Sequence, residues 1–314
     1  MVASSSSPAR TRRQVTRLRA TVIINPIAGS GRATAIGACS DLARSTFARH
    51  GFDADVHVTA GPADAYRFAA EARAAGHDLV IAWGGDGTVN GAGSALAGSP
   101  VPLGVIGVGS GNGLARDLGL PLSPAPALEI VAAGATRAID VGDLNGSLFF
   151  NVAGIGLDAC IADRMASPNA RRGLLGYVLA TFNEMPSYQP CEYSIAMSED
   201  GGAPLRTRAI FIAIANSRQY GKGAQIAPLA SLDDGIMDIV VVKPQSAARI
   251  VSRLPSFFRG TLREDDSVLM RTASTLEITS DQPIRFHVDG EPRAAVEHLA
   301  LRTRPKDLLV RIRR

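Results

Sequence analysis

At 314 residues, with 46% hydrophobic positions, the chain has room for about two domains of roughly 150 residues each and a sizeable core, which excludes disorder as its main theme. The formal charge of +4 sits at the ends: residues 1–20 hold five arginines and no acid, residues 301–314 hold six basic groups against Asp307, and the body between is mildly acidic. That distribution argues against a nucleic-acid surface and fits either solvated tails or loose attraction to an anionic membrane.

Residues 1–19, a serine run with scattered arginines, read as a disordered basic leader. From Ala20 the pattern is strand, glycine loop, helix, repeated. Thr21–Asn25 is a β-branched run ended by Pro26, and Ala33–His50 has helical spacing. Asp55–Thr59 alternates like a strand, Ala63–Ala75 is an alanine-rich helix, Asp78–Trp83 is a nearly all-apolar strand, and Val101–Gly107 continues the series. Strands apolar on both faces, alternating with helices, predict a doubly wound parallel sheet over residues 20–138. The uncharged stretch Gly87–Ala115 is long enough to span a bilayer, but glycines and prolines break it, so no transmembrane helix is expected.

After Ile139 the texture changes to short strands with turn residues between them: Leu148–Ala153, Tyr193–Met197, Thr207–Ala215, Met237–Lys243, Thr275–Thr279 and Ile284–Val288. They predict a second, antiparallel β-rich domain over residues 139–314, whose last strand has the option of returning to the first domain. Two helical segments, Arg171–Glu184 and Ala247–Leu262, interrupt it with basic residues beside bulky apolar ones. Cys39, Cys160 and Cys191 form no CxxC pair and the histidines show no metal-ligand spacing. Neither a disulfide scaffold nor a structural zinc site is expected, and a reducing cytoplasm is the simplest location.

Three loops follow three of the predicted strands. They are Asn25-Pro26-Ile27-Ala28-Gly29-Ser30-Gly31-Arg32, then Gly84-Gly85-Asp86-Gly87-Thr88, then Gly109-Ser110-Gly111-Asn112-Gly113-Leu114-Ala115-Arg116. In a doubly wound sheet, loops at the carboxyl ends of the strands line one crevice. Glycines there let backbone N–H groups approach a phosphate, and helix N-termini add a favourable dipole. Neither GxGxxG nor the P-loop pattern is present. Asp86 suits magnesium binding or activation of a hydroxyl, with an N-cap for a helix starting at Thr88 as the structural alternative. Asp289, in His287-Val288-Asp289-Gly290-Glu291, is either a second reactive acid or the corner of a hairpin.

The segments NPIAGSGRA, GGDGTVN, GSGNGLARDLGLP, NVAGIGLDA, APLASLDDGIMDIVVV and VDGE, in this order, resemble the diacylglycerol-kinase catalytic family, which includes bacterial soluble lipid kinases, sphingosine kinases and ceramide kinases. The resemblance runs from about Ala20 to the C-terminus. It implies a two-domain kinase with its site in the interdomain cleft, ATP and Mg²⁺ as cofactors, and a lipid met at a membrane surface. It carries nucleotide contacts onto Asn25, Gly29, Gly31, Gly85, Asp86, Gly87, Thr88, Gly111 and Asn112. The general base falls on Asp289, or on Asp86 if the roles are exchanged, Glu291 follows Asp289, and a magnesium ligand falls on Asp234. The implied acceptor is a diacylglycerol-like neutral lipid, with a sphingoid base or ceramide as the alternative. An amine headgroup wants a carboxylate, and where sphingosine kinases carry a second acid this chain has Cys160. A non-catalytic nucleotide or lipid sensor and an NAD-kinase-like small-molecule kinase are the competing readings. A peripheral position at the inner membrane face and a homodimer stay open.

Overall fold

The structure, a computed structural model, describes residues 17–29, 36–166, 184–185, 187–198, 203–221 and 223–314. The expected leader and the helix over Arg171–Glu184 lie almost wholly outside these residues, as do Ser30, Gly31 and Arg32.

Strands β1 (Leu18–Ile24), β2 (Phe52–Val58), β3 (Leu79–Gly84) and β4 (Leu103–Gly107) are parallel, in the order β2-β1-β3-β4. β3 is buried at every position, as its unbroken apolar run requires, because helices cover both faces of the sheet. Successive residues point to opposite faces. Ile23, Val80 and Val105 pack under α2 (Asp64–Ala74) and α3 (Asp86–Leu96), whereas Val22, Ile81 and Ile106 pack under α1 (Ile36–Arg49) and α5 (Pro124–Ala133). Short α4 (Gly113–Asp117) follows the third glycine loop.

Strand β5 (Ala135–Leu144) opens the antiparallel half. β6 (Ser147–Phe149), β7 (Val152–Gly156), β8 (Cys191–Met197), β9 (Leu205–Ala209) and β10 (Phe211–Ala215) follow, with α6 (Leu157–Ala166) after β7. Then come the small hairpin β11 (Gln219–Gly221) and β12 (Ala224–Gln225), β13 (Met237–Val242), α7 (Ala247–Arg259), β14 (Val268–Ala273), β15 (Thr275–Val288) and β16 (Glu291–Ile312). Phe149, Ile155, Ile212, Ile239, Leu276 and Leu299 share one core here. β16 pairs with β15 and β5 and also touches β4 in parallel at Val310 and Leu103. That contact joins the parallel and antiparallel strands into one sheet among the described residues.

Several elements differ from the sequence expectation, each for a tertiary reason. β1 begins at Leu18, inside the segment assigned to the leader, because Leu18 and Arg19 pair with Phe52 and Asp53 and the Arg19 amide donates to Asp78. The expected strand Leu148–Ala153 splits, because Phe150 and Asn151 turn their N–H groups to Asp289. The strand expected over Thr207–Ala215 divides at Ile210, whose N–H bonds Val242. Thr275–Thr279 and Ile284–Val288 merge into bent β15, with a register shift between them. The sequence pattern gives residues 291–312 no strand of their own, although it leaves open a last strand able to return to the first domain. The prolines and exposed charges of β16 hide the alternation, and the bend at Arg304–Leu308 is held by buried Asp140, whose Oδ1 accepts the Lys306 N–H at 2.7 Å.

Candidate active site

The three glycine loops meet at the carboxyl ends of β1, β3 and β4. Asn25 ties the first to the second: its Nδ2 donates to Thr88 Oγ1 at 3.0 Å, and its Oδ1 accepts the Ile27 N–H at 3.1 Å. The second and third loops touch backbone to backbone. A Cβ placed on Gly109 would stand 2.5 Å from the Gly85 Cα, so a side chain there would force the loops apart. Beside them a cavity of about 330 Å³ is lined by Asn25, Pro26, Gly29, Trp83, Val108 and Leu122. Its wall combines apolar side chains with Ala28 and Gly29 of the first loop.

Asp86 lies in the first turn of α3. It is not the N-cap, a place Gly85 takes, so the capping alternative fails. Its Oδ2 accepts the Asn112 N–H and its Oδ1 the Gly113 N–H, both at 2.9 Å. Asn112 reaches this position through a left-handed backbone, φ 56°, and its Nδ2 donates to the Gly109 carbonyl at 2.8 Å. Its Oδ1 is buried with no hydrogen-bond partner among the described residues. Burial pushes the Asp86 carboxyl above the usual carboxylate range, and the Gly113 and Asn112 amides pull it partly back. A carboxylate has about four lone-pair sites, and these two bonds leave acceptor capacity on each oxygen.

Asp289 sits at the β15–β16 hairpin, where Asp289 and Gly290 have φ values of 49° and 84°. Its carboxylate is saturated. Oδ2 accepts from Asn90 Nδ2 at 2.8 Å and the Phe150 N–H at 3.0 Å, and Oδ1 from the Asn151 and Val152 N–H groups at 2.9 and 3.0 Å. Burial raises its pKa, opposed by those four donors. Asn90, which sequence reasoning left out of the site, lies four residues after Asp86 and therefore on the same face of α3; that spacing was the available signal. Glu291 also arrives here, since a Cβ on Gly87 would meet Glu291 Oε1 at 2.5 Å. Ser110 is exposed on the third loop.

Asp234 lies elsewhere, in a turn before β13. Its Oδ1 accepts the Ile236 N–H at 3.2 Å, while Asp140 Oδ2 accepts that of Gly235 at 2.6 Å. Asp233 is occupied by Arg137. Asp238 is pushed up to about 6, first by burial and then by the Asp234 charge. Among the described residues no three His, Cys, Asp or Glu side chains form a metal-holding group. Asp234 and Asp238 are two carboxylates whose charges act on one another at this turn, the donor type through which a magnesium-type cation binds while keeping several waters.

Residues 19–144 match the diacylglycerol kinase catalytic domain, and residues 151–312 match the YegS C-terminal NAD kinase beta sandwich-like domain. A diacylglycerol kinase of Mycobacterium tuberculosis is 33% identical over 282 residues, covering 87% of this chain and 88% of its own. A solved structure of a diacylglycerol kinase from Bacillus anthracis superposes with a TM-score of 0.71 at 21% identity, covering 95% of this chain and 98% of that one. An NAD kinase from Archaeoglobus fulgidus in complex with ATP shares the fold at a TM-score of 0.51 and 12% identity, covering 94% and 93% of the two chains. The fold and site thus define a two-part kinase in which a parallel sheet meets an antiparallel β-rich half. This chain belongs to the diacylglycerol kinase catalytic family and is a phosphotransferase. No helix among the described residues is long and apolar enough to cross a membrane.

Proposed function

We propose that this lipid kinase transfers the γ-phosphate of ATP to the hydroxyl of a neutral, diacylglycerol-like lipid, with Asp86 as the acid that takes the hydroxyl proton. The observation that carries this reading is the difference in free acceptor capacity between Asp86 and Asp289. The base of ATP fits the cavity beside Asn25 and Trp83, and the phosphates fit across residues 85–88 and 109–113. Residues 20–138 form the nucleotide half and residues 139–314 the lipid half.

In this reading the hydroxyl oxygen attacks the γ-phosphorus, the bond to the β,γ-bridging oxygen breaks, and ADP leaves. Asp86 receives the hydroxyl proton on an oxygen already oriented by the Asn112 and Gly113 amides. Loop amides fixed before the reaction stabilise the developing charge without reorganising. Mg²⁺ travelling with ATP neutralises phosphate charge, and Asp234 with Asp238 is the proposed holder of a second, structural cation. Asp289 binds no proton in transfer; it holds Phe150–Val152 and Asn90 in place.

A neutral acceptor is favoured because, of the two acids an amine headgroup could meet, Asp158 is 2% exposed and bonded to His287, and Asp163 stands three residues past Cys160, away from the position where sphingosine kinases carry their second acid. Cys160 is a thiol pushed up by burial, so it supplies no charge. Leu229, 89% exposed, and Phe258, 40% exposed and next to Arg259 in the sequence, are the proposed bilayer contact. The test is transfer of labelled γ-phosphate to mixed micelles of diacylglycerol, ceramide or sphingosine. Labelled diacylglycerol that disappears with Asp86→Asn supports the reading, and labelled sphingosine alone overturns the substrate class.

A further inference from the structure

Behind the Asp289 hairpin lies a buried acid–histidine pair that the proton transfer does not use. Asp158, in the first turn of α6, and His287, near the end of β15, are 2% and 4% exposed. His287 Nε2 lies 2.7 Å from Asp158 Oδ2. The other ring nitrogen, Nδ1, faces the Gly290 N–H at 3.2 Å. A backbone N–H only donates, so Nδ1 is the unprotonated acceptor, and the proton on Nε2 is donated to Asp158.

The surroundings are built around this pair. A Cβ on Gly154 of β7 would stand 1.9 Å from Asp158 Oδ2 and 2.3 Å from His287 Nε2, so only glycine leaves the pair its space. Burying a carboxylate is costly, and a packed apolar pair would fill the same volume at no loss of stability. An apolar pair has no acceptor for the Gly290 N–H. That amide lies in the turn whose Asp289 carboxylate bonds Asn90, on the helix that carries Asp86. The hydrogen bonds therefore run from α6 through His287 to the hairpin, and from the hairpin to α3.

We propose that Asp158 and His287 are positioning residues for phosphoryl transfer, fixing the Asp289–Gly290 turn and through Asn90 the placement of Asp86. The proposal rests on the reading of Asp86 as the acid that takes the proton. It assigns the ring a fixed tautomer and no proton transfer of its own.

Three variants test it. His287→Phe removes both ring contacts, His287→Asn keeps an acceptor where Nδ1 stands, and His287→Gln keeps a polar group only near the Nε2 position. A misplaced reacting group costs about 100-fold in rate. We expect that loss of kcat in His287→Phe and His287→Gln, recovery to within about tenfold of wild type in His287→Asn, and an ATP Kd that moves less than about threefold throughout. A purely structural role would make kcat follow melting temperature, with no advantage of Asn over Gln, and that result overturns the proposal, as does wild-type kcat in His287→Phe.

Nitrogen-15 NMR of the imidazole and amide exchange at Gly290 need no turnover. The expected spectrum shows an Nε2-protonated neutral ring and a protected Gly290 amide, with protection kept in His287→Asn and lost in His287→Gln. An Nδ1-protonated ring or an unprotected wild-type amide overturns the pair even if the enzyme is active. Wild-type protein that passes these NMR tests but labels no lipid would leave the pair standing and defeat the kinase reading of the site.

Discussion

Asp86 and Asp289 are two acids placed next to glycines, both driven upward by burial, yet their surroundings differ. Asp86 accepts two amides from the facing loop, whereas Asp289 accepts four N–H groups from two chain segments. The first arrangement orients a carboxylate and leaves it able to take a proton. The second spends the carboxylate on architecture. The contrast teaches that residue type and motif locate a polar site, while the donors around each oxygen decide its work.

The sharpest way to break this comparison is Asp86→Asn. Removing a general base costs about 10²- to 10⁴-fold, so we expect kcat to fall about 1,000-fold in single-turnover transfer, with a smaller loss of stability than at Asp289, since one loop amide rather than two loses its acceptor. Asp289→Asn should show the opposite balance. Its amide would face N–H donors, leaving buried groups unpaired at about 2 to 4 kcal/mol of stability, read by denaturant unfolding. If Asp289→Asn instead keeps wild-type stability and loses turnover as Asp86→Asn does, the proton belongs to Asp289.

Asn90→Ala sharpens the link between the two acids. It removes the bonds to Asp289 Oδ2 and the Leu148 carbonyl, and we expect about 1 to 2 kcal/mol of destabilisation with about a tenfold fall in kcat. Away from the acids, Leu229→Asp combined with Phe258→Asp should weaken sedimentation with anionic vesicles by about tenfold while soluble ATP binding stays intact. Unchanged sedimentation would move the bilayer contact to another surface.

The smallest expected effect is a pH dependence at the Asp234 turn. Asp238 has a folded pKa of about 6, against an ordinary 3.8. The native state therefore binds more protons than the unfolded chain between those values, and stability contributed by this group falls as pH rises through that window. Melting curves without divalent cation should show that slope, and Asp238→Asn should flatten it. Magnesium should flatten it as well, by lowering the Asp238 pKa; a slope insensitive to magnesium would remove the cation from this turn.

Much of the parallel half was legible because its signals are local. Apolar strands, glycine loops and alanine-rich helices each declare themselves within about ten residues, and three loops after three strands must converge in a doubly wound sheet. β16 was not legible, because a strand solvated along much of its length, with Pro292, Pro305 and many charges, lacks a clean alternation. Asn90 and His287 carried no role in the sequence, and Asp158 only that of a possible headgroup acid, since the partners that fix their work lie 129 to 199 residues away. By itself the sequence determined the order of elements in the nucleotide half, the three loops and the acids that had to be weighed, because those depend on short-range pattern. Only the tertiary structure decided which acid is saturated, which histidine nitrogen accepts and how the last strand joins the halves, because hydrogen-bond partnership is set by chain segments that meet only after folding.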